Sequence, residues 1–148
     1  MSEYFFHYVF VMATNAIEAV WTSSLSFDGH QQDMVMPLSS TITEGASGFS
    51  PKQLLLTALA GCTGMDVASL LPKMRVPFTS LVVKVSGVLA EEHPKTYVSM
   101  HVTYEVGVGE EFREQVKRAV ELSETRYCGV SAMLAKAAEI TYEIVLVG

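Results

Sequence analysis

Basic residues are scarce in this 148-residue chain and unevenly placed. Ten Lys and Arg stand against sixteen Asp and Glu, and none of the ten precedes Lys52. A net charge of −6 with no cation in residues 1–51 excludes the basic footprint that a phosphate backbone demands, so no nucleic-acid partner is expected. Cysteine is scarcer still, with only Cys62 and Cys128. One distant pair does not staple a chain of this size, which removes the secreted disulfide-scaffold class. No C-x-x-C, no H-x-x-x-H and no compact Cys/His cluster occurs, so zinc-site spacing is missing and neither metal nor other cofactor is expected. The opening run MSEYFFHYVFVM lacks the basic n-region and small-residue cleavage site of a secretory signal. Residues 1–11 read as an N-terminal extension, an added strand or a partner contact, with a more conventional start at Met12. Repeats, linkers and low-complexity segments are absent too. The expectation is one domain over residues 1–148, cytoplasmic, with its thiols reduced.

What the chain has in quantity is apolar residues. A hydrophobic fraction of 49% and a mean hydropathy of +0.29 are high for a soluble monomer and point to surface buried in an oligomer. The densest stretch is Ser50–Leu71, SPKQLLLTALAGCTGMDVASLL. Ser50 can cap, Pro51 suits the first helical position, and Gln53 completes an S-x-x-Q capping box. No charge falls between Lys52 and Asp66, so the helix is apolar nearly all round and should be buried on most of its surface. A membrane span is the competing assignment. Asp66 argues against it, because a carboxylate at mid-helix costs about 2.5–3.5 kcal/mol in lipid. Cys62 sits in the middle of this helix, and Gly61 and Gly64 leave room beside it.

Ahead of the helix, Ala16–Phe27 reads as a strand, Asp28-Gly29 as a hairpin turn and Gln32–Leu38 as the return strand. Ser39–Phe49, rich in Ser, Thr and Gly, reads as a loop, and the helix should end near Pro72–Pro77. Phe78–Glu91 and Thr96–Gly107 form the clearest strand pair, joined by Glu91-Glu92-His93-Pro94. In the second of them Val98, Met100, Val102, Tyr104 and Val106 alternate with polar residues, the period of a sheet with one wet face. Glu110–Glu124 is a second helix with an apolar stripe at Phe112, Val116, Ala119, Val120 and Leu122, flanked by Glu114–Lys117 and Glu114–Arg118 pairs. A short helix Val130–Ala138 and a strand Ile140–Val147 close the chain. The order ββ-α-ββ-αα-β predicts an α+β fold with a largely antiparallel sheet.

Two thiols in a reducing compartment can be packing residues, metal ligands or a redox pair. His93, in a turn, and His101, on the wet face of a strand, read as solvated. A redox role needs a thiolate. Cys128 is the better placed by position, just before a helix N-terminus with Arg126 nearby, whereas Cys62 gains little from the dipole of its own helix. Asp66 lies on the face of Cys62 and would raise a thiol pKa unless paired or turned aside. The residues alone leave the attacking thiol undecided.

SPKQLLLTALAGCTGMDVASLL, then EEHPK, then LSETRYCGVSAMLAKAAEITYEI together resemble the OsmC/Ohr family of thiol-dependent hydroperoxide reductases, and within it the YhfA-type OsmC-like branch. The resemblance runs from about Trp21 to the C-terminus. It implies an OsmC-like entwined homodimer with sheets around two long central helices and paired sites at the subunit interface. It further implies that Cys62 is the peroxidatic thiol and Cys128 the resolving one, with a hydroperoxide as substrate and an external dithiol as reductant. This chain departs from the family pattern at two places. Lys52 stands where peroxidase members carry a Glu ten residues before the first Cys, and residues 1–51 lack the Arg that accompanies it. Lys52, Gln53 and Glu44 are the candidates for replacing that polar support. The alternative function is a non-enzymatic dimer of the same fold that binds a small hydrophobic molecule or senses oxidants.

Overall fold

In the computed structural model the described residues are 13–40, 44, 45 and 47–148, and the chain divides into two units, 1–51 and 52–148. The N-terminal extension expected over residues 1–11 lies outside the described residues. In the first unit β1 (Glu18–Ser23), β2 (Ser26–Gln31) and β3 (Met34–Ser39) form an antiparallel meander in chain order. Asp28-Gly29 is not the turn that its sequence suggests. It lies inside β2, with Asp28 paired to Val20 and Pro37, and Gly29 to Ala19 and Met36. The register instead aligns Trp21, Phe27 and Leu38 across the three strands, and such aromatic–aliphatic ladders outweigh a two-residue turn signal. The turns fall at Ser24-Leu25 and Gln32-Asp33, whose first residues take φ of 46° and 53° without glycine.

The chain leaving β3 doubles back so that Phe49 bridges Leu38, with Ser39 N–H donating to Phe49 O at 3.1 Å and Phe49 N–H to Pro37 O at 3.3 Å. Gly48 makes this return possible. Its φ is 124°, and a Cβ there would stand 2.5 Å from the carbonyl oxygen of Pro37. Gly48→Ala is therefore expected to destabilise the chain by about 1–3 kcal/mol, read as a lower urea midpoint. A midpoint unchanged from wild type would show that the return segment tolerates rearrangement.

The second unit is built on α1 (Pro51–Lys73). Only Leu59, Thr63, Val67 and Leu71 are fully buried, a single stripe at four-residue spacing. The expectation that most of the helix surface would be buried is thus corrected for the single chain. Leu55 and Met65 remain 44% and 75% exposed, because the chain's own sheet covers one face only. The helix runs through Leu71 and Pro72 to Lys73 and is closed by Arg75, which is left-handed at φ 61°. Val76 N–H returns to Leu71 O at 2.9 Å and Arg75 N–H to Pro72 O at 3.0 Å, a Schellman closure made without glycine.

β4 (Ser80–Leu89) and β5 (Tyr97–Gly107) pair antiparallel, as the alternation predicts. β6 (Glu139–Leu146) joins β5 in parallel, giving the order β4-β5-β6, so this sheet is mixed. The parallel pairing follows from the connection, which crosses over through α2 (Arg113–Leu122) and α3 (Gly129–Leu134) rather than through a tight turn. One position of β5 departs from the expected alternation. The register shifts between Val88 and Leu89, so the bulge turns Val98 outward, 50% exposed, and Tyr97 inward. Gly87 leaves space for that ring, since a Cβ there would come within 2.6 Å of it.

Met100, Val102, Tyr104 and Val106 pack with the α1 stripe and with Val116, Ala119 and Val120 of α2 as one core. On the other face His101 Nδ1 and Thr141 Oγ1 are hydrogen-bonded at 2.7 Å, consistent with a solvated strand face. The expected Glu114 ion pairs are not the ones formed. Glu110 opens a 3₁₀ turn ahead of α2 and pairs with Arg113, while Lys117 reaches Glu121.

Candidate redox site

Cys62 projects from the middle of α1, and Asp66 follows one turn later on the same face. The second cysteine arrives from the other side of a local distortion. After Leu122 the helix widens into a π turn, Ser123–Tyr127, closed by Cys128 N–H donating to Ser123 O at 2.9 Å. Cys128 is then the N-cap of α3, and its Sγ accepts the Ser131 N–H at 3.3 Å. The two sulfurs and a carboxylate oxygen of Asp66 consequently all lie within 4.8 Å of one another. Cys62 is half-buried, whereas Cys128 is 3% exposed.

The expectation that Cys128 would be the acidified thiol is overturned. Burial pushes it up to about 12. The Ser131 N–H opposes that rise, while a hydrogen bond to Cys62 and negative charge at Cys62 and Asp66 add to it. The Arg126 guanidinium lies over the Tyr127 ring, 5.5 Å from its centre. Cys128 thus holds its proton at neutral pH, and the Asp66 carboxylate reinforces that. The folded state therefore binds more protons than the unfolded state between the ordinary thiol value and about 12. Stability of the reduced protein should fall as pH rises through this window, and should not fall in the same way once both sulfurs are alkylated. Urea midpoints taken from pH 8 upward on both forms check this.

Around the sulfurs lies a connected polar cluster. Thr63 Oγ1 meets Tyr104 OH and, at 2.8 Å, Ser123 Oγ. Ser123 Oγ also donates to Asp66 Oδ2 at 2.9 Å. Tyr104 OH donates to Glu124 Oε1 at 2.7 Å, and Ser131 Oγ donates to Glu124 Oε2 at 2.9 Å. Burial, with Glu124 alongside, raises the Tyr104 pKa, so its hydroxyl remains a donor. Among the described residues no buried side-chain polar atom lacks a partner. In the sequence Tyr104 reads only as a core residue and Glu124 as a helix end. The hydroxyls of Ser123 and Thr125 around Glu124, just before Cys128, were the available signal.

The family profile described as OsmC-like protein matches residues 44–143. Protein YhfA of Escherichia coli K12 is 34% identical over 136 residues, covering 84% of this chain and 94% of its own. The chain belongs to the OsmC-like family. A crystal structure of a protein from Aquifex aeolicus VF5 superposes with a TM-score of 0.78 at 26% identity, covering 93% of this chain and all of that one. The organic hydroperoxide resistance protein OhrB of Bacillus subtilis shares the fold at a TM-score of 0.61 and 16% identity, over 89% of this chain and 99% of its own.

In this OsmC-like chain Lys52 and Gln53 lie at the start of α1 rather than beside Cys62. Lys52 is exposed at the start of α1, and its Nζ donates to Lys95 O at 2.9 Å beside a cavity of about 500 Å³ lined by Leu55, His93, Tyr97 and Met100. Ten residues of helix put about 15 Å between its backbone and that of Cys62. Gln53 is exposed one residue later, and its carbonyl accepts from Thr57. Glu44 belongs to the first unit, exposed along a polar cavity of about 370 Å³ with Thr22, Ser26 and Asp28. Lys52→Met should accordingly leave the alkylation rate of Cys62 by iodoacetamide within about twofold of wild type. A tenfold slower reaction would place the ammonium in electrostatic contact with the thiol.

Proposed function

We propose that this chain is a thiol peroxidase that reduces hydroperoxides through Cys62 and Cys128, working as a cytoplasmic homodimer. The carrying observation is the close approach of one half-buried and one buried sulfur on two separate elements. Cys62, the accessible member, attacks the peroxide O–O bond as thiolate, becoming a sulfenic acid while the alcohol leaves with a proton from solvent. The Cys128 thiol then condenses with the sulfenic acid, forming a disulfide and releasing water. Asp66, with a carboxylate oxygen within 4.8 Å of both sulfurs, relays the Cys128 proton to the departing hydroxyl, which leaves as water. An external dithiol reduces the bridge by exchange. The name of OhrB supports an organic hydroperoxide as the substrate class.

The homodimer is supported by apolar surface that a lone chain leaves open. The outer face of α1 carries Leu55 and Met65, and the first sheet exposes Trp21, Met34 and Val35. A second reading has its own observation. The charged side chain grouped with the two sulfurs is the Asp66 carboxylate, while Lys52 is bonded to Lys95 O. A negative charge there opposes the repeated thiolate formation that turnover needs, which favours a pair oxidised once as a sensor over one that cycles.

Consumption of cumene hydroperoxide by the reduced protein with dithiothreitol separates the two. Multiple turnovers per chain establish a peroxidase. A single stoichiometric oxidation despite excess dithiol, with the bridge persisting, establishes a sensor.

A further inference from the structure

We propose that the reduced Cys62, Cys128 and Asp66 bind one thiophilic divalent cation, with zinc the fitting ion, so that metal and oxidant compete for the same two sulfurs. The donor set is two sulfurs and a carboxylate, which is borderline-soft chemistry rather than that of calcium or magnesium. A tetrahedral zinc with Zn–S near 2.3 Å and Zn–O near 2.1 Å sets its ligand atoms roughly 3.5–3.8 Å apart. The three atoms here already lie within 4.8 Å of one another, so closure on a metal takes about an ångström of side-chain movement. Cys62 and Asp66 come from successive turns of one helix, the same i, i+4 pairing that helical metal sites use. The half-buried side of Cys62 leaves a fourth position for water.

The surroundings suit a metal as well as the donors do. Ser123 Oγ donates to Asp66 Oδ2 at 2.9 Å, an outer hydrogen bond that orients the carboxylate. The Ser131 N–H directed at Cys128 Sγ, 3.3 Å away, is the kind of outer contact that orients and tempers a metal-bound thiolate. Two thiolates and a carboxylate in one place would repel one another, and a divalent cation offsets that charge. Binding forms two metal–sulfur bonds and one metal–oxygen bond, and each thiol that was protonated gives its proton to the buffer.

The proposal is independent of peroxide turnover, and its test contains no peroxide. Reduced, untagged full-length protein is titrated with cobalt(II), then with zinc. The expected result is one cobalt per chain, with thiolate-to-metal charge-transfer bands and visible bands of tetrahedral strength that zinc abolishes. Cys62→Ser and Cys128→Ser should each lose about half of the charge-transfer intensity, and Asp66→Asn should weaken zinc binding at least about tenfold. Alkylating both cysteines of the unmutated protein before titration should remove the sulfur bands, which guards against a variant that merely misfolds. A six-coordinate cobalt spectrum without sulfur bands would overturn the site. So would zinc affinity unchanged by alkylation, which would place the ion on exposed histidines such as His93. Unchanged affinity in Asp66→Asn would likewise overturn the three-ligand site.

Discussion

Cys62→Ser should abolish peroxide consumption, while Cys128→Ser should retain one oxidation per chain and lose sustained turnover. The asymmetry comes from burial. Cys62 is the sulfur with access to solvent, whereas Cys128 is 3% exposed and protonated well beyond neutrality. A buried thiol of this kind attacks peroxide poorly, yet it is well placed against a sulfenic acid already formed beside it. In Cys128→Ser the sulfenic acid has no neighbouring thiol. It should persist long enough to be trapped by dimedone, and then proceed to sulfinic acid. Because Cys128 must shed a proton before bond formation, disulfide closure in the wild type should accelerate as pH rises from 7 to 9. Mass spectrometry of peroxide-pulsed samples measures both steps. Full turnover in Cys128→Ser would mean that external thiol resolves Cys62 directly. Sustained activity in Cys62→Ser would reassign the attacking sulfur.

The fold was most legible where one face meets the core and the other meets water. Phe78–Glu91 and Thr96–Gly107 frame β4 and β5 to within two residues at each end, because alternation there reports burial directly. The core stripe of α2 was readable for the same reason. Asp28-Gly29 misled because a turn signal is local, whereas the ladder Trp21–Phe27–Leu38 is set by three strands at once. The parallel pairing of β6 depends on how a crossover returns, which no single strand encodes. The two sulfurs came to notice through family resemblance rather than through their spacing. Their polar surroundings did not, since Thr63 meets Tyr104 across 41 residues and Ser123 across 60. Hydrogen bonds at such separations leave no period in the sequence, and a Tyr on a core face reads as a hydrophobe until its hydroxyl finds a partner.

Glu124→Ala should be among the most destabilising single substitutions in the chain, by about 3 kcal/mol, through loss of acceptors rather than of contact area. Glu124 is half-buried and receives Tyr104 OH on one oxygen and Ser131 Oγ on the other, with Thr63 Oγ1 at 3.5 Å. Removing the carboxylate strands two hydroxyls, and the Tyr104 ring that carries one of them is fully buried. Each stranded donor costs roughly 1–3 kcal/mol, with the lower end appropriate where water can enter. Glu124→Gln keeps an acceptor oxygen and should cost about half as much. Tyr104→Phe should fall between the two, because it deletes a donor while leaving the carboxylate one partner short. Since both changes act on the same bond, the double variant Tyr104→Phe/Glu124→Ala should lose less than the sum of the singles. The effect should also reach the sulfurs. Ser131 donates its N–H to the Sγ of the capping Cys128 while its hydroxyl is fixed by Glu124, so a freed Ser131 loosens the start of α3. Disulfide closure should therefore slow in Glu124→Ala even under conditions where the variant is fully folded. Urea denaturation with pulsed-oxidation mass spectrometry on the wild type and these four variants tests both claims. A midpoint shift no larger than that of Glu121→Ala on the adjoining helix would mean that water replaces the carboxylate at no cost.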